Sequence, residues 1–146
     1  NVSDCLSEFN DISCKSESAS TKQFARIGGL CGSATATISK SVSVRNTIAE
    51  TNTAGASSMF SAGLVAKTSA TVTNCAVYAN TISGRNCDVF TDKTDSLFNC
   101  YVAEHASTVT NVNSLPVLSS EQWNDIINVL SLGSKWYMEN GVLNLR

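Results

Sequence analysis

Val72-Thr-Asn-Cys75-Ala-Val-Tyr-Ala-Asn80-Thr-Ile82 lies residue for residue over Ile38-Ser-Lys-Ser41-Val-Ser-Val-Arg-Asn46-Thr-Ile48, and both lie over Val2-Ser-Asp-Cys5-Leu-Ser-Glu-Phe-Asn10-Asp-Ile12. A fourth copy, Leu97-Phe-Asn-Cys100-Tyr-Val-Ala-Glu-His105-Ala-Ser107, follows with its end eroded. The offsets are 36, 34 and 25 residues, so the period is loose while the register inside each copy is kept. Repeats of this length signify stacked supersecondary units, none of which buries its apolar face alone.

Each copy is preceded by a hydrophobic bend: Ile27-Gly-Gly-Leu30-Cys-Gly-Ser, then Ser61-Ala-Gly63-Leu64-Val-Ala-Lys, then a degraded Asp88-Val89-Phe90-Thr-Asp. A threonine- and serine-rich step leads into the apolar anchor at Ile38, Val72 or Leu97, and a short alternating run such as Val42-Ser-Val44 follows. Period-2 texture, β-branched residues and pieces of strand length point to β structure. Arg45–Ser61 and the stretch Lys15-Ser-Glu-Ser-Ala-Ser-Thr-Lys22 read as loops on one side of the stack. The expectation is an all-β chain, a parallel β-solenoid of four coils over residues 1–110, in which equal positions stack at a spacing of about 4.8 Å. Asn10, Asn46, Asn80 and His105 fall at one such position, and the asparagines are expected to form a ladder between coils.

Residues 111–146 differ in kind. Ser119-Ser-Glu-Gln-Trp123-Asn-Asp-Ile126-Ile127-Asn-Val-Leu130 places apolar residues at helical spacing after a serine N-cap, with Gln122 at the capping-box position, and Gly133 closes the helix. Trp136–Leu145 reads as a hairpin around Asn140-Gly141. The expected role of this small α+β unit is a cap that plugs one open end of the stack.

The charged fraction is 15% and the formal net charge is -2, so the chain lacks a basic footprint for nucleic acid or anionic lipid. No stretch approaches the roughly 18 apolar residues of a membrane span. Serine and threonine total 36 residues and asparagine 14, a composition suited to repeated turns and solvated strand faces. Val2 already occupies a repeat position, so the chain is expected to be a mature or excised piece of a longer precursor. Asn1-Val-Ser3 is a glycosylation sequon.

Six cysteines in so short a chain favour an oxidising compartment. Cys5, Cys14, Cys31, Cys75, Cys87 and Cys100 are all disulfide candidates, the alternative being that Cys5, Cys75 and Cys100 are free core residues. The repeat alignment puts Cys75 and Cys100 at equal positions in neighbouring coils, inside the Cα window of about 4.4–6.8 Å for a disulfide. Cys5 is separated from them by the coil of Ser41, which leaves Cys14 or Cys31 as its partner. With one histidine and no paired C-x-x-C, no metal set is expected.

Gly28-Gly-Leu-Cys-Gly32, Thr37-Ile-Ser39 and Val72-Thr-Asn-Cys75-Ala-Val-Tyr78 resemble the GLUG repeat, whose usual form runs G-G-L-V-G, then T-I-S-N-C-Y-A-T-G-N-V. The tail resembles what often follows the last such repeat. Ala62 replaces the first glycine of the second copy, and the third copy lacks both. The resemblance extends over residues 1–145 and implies an extracellular β-solenoid of a secreted or surface adhesin-like kind. It carries over no active site.

No catalytic or cofactor-binding residue emerges. His105 stands at a turn position without a second histidine, and Asp88, Asp92 and Asp95 sit together in one coil with no acidic partner in the coil before it. They read as an acidic turn. The function expected is therefore a non-enzymatic structural or adhesive protein outside the cell or on its surface. The alternatives are a module binding a glycan or surface-protein ligand through its side loops, and a glycan-active β-helix enzyme. Val2, Leu6, Phe9 and Ile12 would form an uncapped apolar edge, a template for head-to-tail self-association into a fibre or array.

Overall fold

A computed structural model describes residues 1–16, 25–52, 59–84, 87–92, 96–103, 106–107 and 115–146. It is dominated by short strands in parallel sheets. The chain makes successive passes through the same sheets in the same order. The first pass comprises β1 (Val2–Ser3), β2 (Leu6–Glu8), β3 (Asp11–Ser16), β4 (Ala25–Gly28) and β5 (Cys31–Ala34). The second comprises β6 (Ile38–Ser39), β7 (Val42–Val44), β8 (Thr47–Asn52), β9 (Met59–Ala62) and β10 (Val65–Thr68). The third runs through β11 (Val72–Thr73), β12 (Ala76–Tyr78), β13 (Thr81–Ser83) and β14 (Cys87–Asp88), and the fourth through β15 (Leu97–Phe98), β16 (Tyr101–Ala103) and β17 (Ala106–Ser107). The register is the one the repeats specify: Val2, Ile38, Val72 and Leu97 pair in sequence, as do Leu6, Val42, Ala76 and Tyr101.

Two corners set the path. The link from the first to the second strand of each pass turns on one left-handed residue, Asp4 (φ 52°), Lys40 (47°), Asn74 (53°) or Asn99 (51°). The next link turns on Phe9 (53°), Arg45 (49°) or Ala79 (50°). After the second corner the amide of Asn10 donates to Asn46 Oδ1 (2.8 Å), and the amide of Asn46 donates to Asn80 Oδ1 (2.8 Å). The expected asparagine ladder is thus present at these three positions; His105 lies outside the described residues. Asn80 Nδ2 donates inward to Ser43 Oγ (3.0 Å) and to the Gly63 carbonyl (3.2 Å), so the ladder also bridges to the opposite wall.

That wall explains the glycines. A Cβ at Gly29 would sit 2.2 Å from the Gly63 carbonyl oxygen and 2.1 Å from Ser43 Oγ, and one at Gly63 would sit 2.0 Å from the Val89 carbonyl oxygen. Gly29, Gly63 and Val89 occupy one register position, with Gly29 N–H donating to the Ala62 carbonyl and Gly63 N–H to that of Asp88. The position must be glycine where another pass stacks on it. At Val89 no further strand pairs among the described residues, which is why the third copy of the motif can lose its glycine.

Inside the passes lie two apolar groups. Ile38, Leu64, Val65, Val72, Val77, Phe90 and Val102 form the larger, and Ile48, Ile82 and Cys87 form the smaller, with Ile12 and Ile27 against it. A third group lies outside, on the β2–β7–β12–β16 sheet. Leu6, Val42, Val44, Ala76, Tyr78, Tyr101 and Ala103 pack there against Trp123, Ile126, Leu130, Leu132, Trp136 and Leu143 of the C-terminal unit.

The C-terminal unit covers part of the last pass and also clasps a flank. Leu118 N–H donates to the Val102 carbonyl (2.9 Å) and Val102 N–H to that of Pro116 (3.2 Å), which seats residues 116–118 beside β16. The chain then crosses the outer face. The Trp123 ring stacks on Tyr78 of the third pass at 4.0 Å, and Lys135 Nζ reaches Asp4 Oδ2 of the first pass at 3.6 Å. Ser119 and Gln122 form the expected capping box. The single expected helix is instead two, α1 (Ser120–Asn124) and α2 (Ile126–Val129), because Asp125 leaves helical geometry and accepts from Asn128 Nδ2 at 2.6 Å. The hairpin of β18 (Trp136–Glu139) and β19 (Val142–Leu145) turns on Asn140 and Gly141, both at positive φ.

Asn46 is almost fully buried and serves three partners, whereas Asn10 is exposed at the edge. Removing a buried partner costs about 1–3 kcal/mol per orphaned group, so Asn46→Ala should lose about 2–3 kcal/mol of stability and Asn10→Ala less than about 1 kcal/mol. Chemical denaturation of the two variants checks the difference; equal losses would contradict the ladder.

Candidate functional site

The residue after the first corner is Cys5, Ser41, Cys75 or Cys100, and all four play one local part. Each side chain donates back across the corner to the carbonyl two residues earlier: Cys5 Sγ to Ser3 (3.4 Å), Ser41 Oγ to Ser39 (2.8 Å), Cys75 Sγ to Thr73 (3.2 Å) and Cys100 Sγ to Phe98 (3.4 Å). The last three also receive from the pass before. Cys5 N–H donates to Ser41 Oγ (3.3 Å), the Ser41 backbone hydrogen-bonds the Cys75 sulfur, and the Cys75 backbone that of Cys100. Serine and cysteine alternate here because the corner needs a small side chain that can both donate and accept.

All six cysteines are free thiols in this structure. Cys75 and Cys100 stand at equal positions in neighbouring passes, as the repeats require, with Tyr101 N–H bound to the Cys75 carbonyl at 3.0 Å. Their thiols interact electrostatically across the two passes. That interaction, with burial second, pushes Cys75 far above the ordinary thiol range, while the same interaction holds Cys100 below it. Cys5 is two passes from Cys75, with Ser41 between. Its charge reaches Cys31, whose thiol is raised first by burial and then by Cys5. Cys14 pairs in register with Glu50, and Cys87 is raised by burial and by the charges of Glu50 and Asp88.

The expected edge residues are placed unequally. Val2 and Ile12 line the interior and are half-buried, and Phe9 stands exposed at its corner beneath the Arg45 guanidinium, 5.5 Å from the ring centre. Leu6 is no part of that interior edge: its side chain faces outward and packs under the C-terminal clasp. Pass by pass, β1, β2, β3, β4 and β5 each end their sheets, so one whole side of the first pass carries unpaired strand edges among the described residues.

Of the acidic turn, Asp88 and Asp92 are described and Asp95 is not; Glu104 also lies outside the described residues. Asp92 Oδ1 accepts from Thr68 N–H (3.0 Å) and from Thr91 Oγ1 (3.3 Å), which ties the turn to the second pass. Burial, with the Asp92 charge second, pushes the Asp88 carboxyl up to about 6. Among the described residues no group of three or more His, Cys, Asp or Glu gathers as a metal site. No described helix is long and apolar enough to cross a membrane.

Comparison with protein-family models, with curated proteins and with solved structures finds no match for this chain.

Asp88 binds its proton more tightly in the folded chain than in the unfolded one, where its value is 3.8. Folding is thus disfavoured above the raised value and gains stability as the pH falls from about 6 toward 4. Asp88→Asn should raise the melting temperature at neutral pH and remove that part of the pH dependence. Thermal melts of both forms across this range check it; an unchanged profile would contradict the buried, charge-crowded carboxyl.

Proposed function

We propose that the chain is a parallel β-solenoid of about four coils, and that it serves as a non-enzymatic structural or adhesive unit outside the cell, joined head-to-tail into a surface fibre or array. The six cysteines and the likeness of its bends to the GLUG repeat support the extracellular setting. One observation carries the assembly: at the apolar anchor that opens each pass, burial is complete in the two middle passes and incomplete in the first and last. Ile38 and Val72 are wholly buried, whereas Val2 before them and Leu97 after them are half-exposed.

Three of the four large exposed apolar residues among the described residues fall in the same places, the fourth being Phe60 on the second pass. Phe9 is 64% exposed at the first-pass end, and Phe98 (59%) and Val117 (62%) are exposed at the other. Edge strands with apolar side chains are templates for strand addition. Unlike ends that match each other give an open, heterologous contact and hence a filament. The C-terminal clasp supports this reading, because among the described residues it pairs with no strand of the first pass.

The test uses blocked ends. Wild-type protein should sediment as a concentration-dependent series of polymers and show fibres by electron microscopy. Phe9→Lys and Phe98→Lys each place a charge at one end on an exposed side chain and should give monomers. Mixing the two leaves one compatible contact and should give dimers and nothing larger. Discrete wild-type monomers at high concentration would overturn the assembly. Specific ligands on a glycan array, with monomers throughout, would favour the binding-module reading instead.

A further inference from the structure

Among the six cysteines only Cys75 and Cys100 occupy equal positions in neighbouring passes. Each has its sulfur in the corner column, interacting with the other, and Cys100 Sγ also reaches the Val72 carbonyl of the pass beneath (3.5 Å). The strand spacing of about 4.8 Å puts their Cα atoms inside the disulfide window. The two thiols are not equivalent. Cys75 is covered on both sides, by Ser41 and by Cys100, and is wholly buried, whereas Cys100 stands on the last pass with 3% exposure.

We infer that Cys75 and Cys100 form a covalent modification site at which a small disulfide, of the class of oxidised glutathione, converts the stacked thiols into a disulfide between the third and fourth passes, with Cys100 as the attacking sulfur. Cys100 loses its proton, and its thiolate attacks one sulfur of glutathione disulfide. That S–S bond breaks, the first glutathione leaves with the electron pair and takes the proton, and Cys100 carries a mixed disulfide. Cys75 then attacks the Cys100 sulfur, and the second glutathione leaves with the Cys75 proton. Two protein thiols are oxidised and one glutathione disulfide is reduced to two thiols.

The order follows from the geometry. The Cys100 thiolate interacts with the Cys75 thiol and accepts from the Cys75 backbone, and both contacts favour its ionised form. It sits in the link between β15, a two-residue edge strand, and β16, so a local opening of the fourth pass admits the oxidant while the interior passes stay closed. The product ties that edge to the stack. The site stands on its own geometry and does not depend on assembly into fibres.

Native protein is incubated with oxidised glutathione, quenched with acid, and mapped by non-reducing peptide mass spectrometry. A Cys75–Cys100 link should form, preceded in time by glutathione on Cys100. Cys75→Ser should stop at the Cys100 adduct, and Cys100→Ser should show neither a link nor an adduct on Cys75. Serine already fills this position at Ser41, so both variants keep the corner; wild-type kinetics alone decides the matter if one fails to fold. Reaction only after denaturation, a different dominant pair, or first modification at Cys75 would overturn the proposal.

Discussion

A single left-handed residue turns the chain at the first corner of all four passes and at the second corner of the first three, and the stacking rests on what holds those residues there. Left-handed backbone costs a side-chain-bearing residue about 1 kcal/mol or more, less for asparagine and aspartate. The first corner meets that cost partly by residue choice, with Asp4, Asn74 and Asn99 at three of its four places. The second corner has Phe9, Arg45 and Ala79, none of which favours the conformation. Its geometry is therefore imposed from outside, by the asparagine that follows. The amide next to each corner needs an acceptor, and the side chain of the neighbouring pass supplies it, through Asn46 and Asn80 at one corner and through Ser41, Cys75 and Cys100 at the other. Corner and register are one constraint, because a slip of one residue would strand every such amide.

The remaining features follow from passes locked in this way. Glycine is required at Gly29 and Gly63 because the locked backbones aim a Cβ at the carbonyl of the next pass. The C-terminal unit buries an apolar sheet face shared by all four passes, from Leu6 to Tyr101 and Ala103. With Lys135 against Asp4 and Trp123 against Tyr78, it braces the stack along its length.

Much of this was legible in the chain itself. The four-fold alignment gave the strand register at every position where a pairing is described, and the capping box and Asn-Gly turn gave the C-terminal elements. The flank contact is not announced by Val42-Ser-Val44, which reads as an alternating strand with one solvated face. Ala76-Val-Tyr78 and Tyr101-Val-Ala103 are apolar throughout, the mark of a strand covered on both faces, and that signal pointed to a flank partner. The shared part played by cysteine and serine at the first corner also had a trace in the sequence, since Ser41 stands where the other copies carry cysteine. What no sequence pattern supplies is the direction of a side chain beside a left-handed residue, and the hydrogen bonds of both ladders depend on it.

The central claim is that corner side chains fix the stacking register, and NMR contacts across the passes test it most directly. The amide of Asn10 should show contacts to the side chain of Asn46, and the amide of Asn46 to the side chain of Asn80, with none between Asn10 and Asn80. Loss of these contacts, or their displacement by one residue along either strand, would contradict the account.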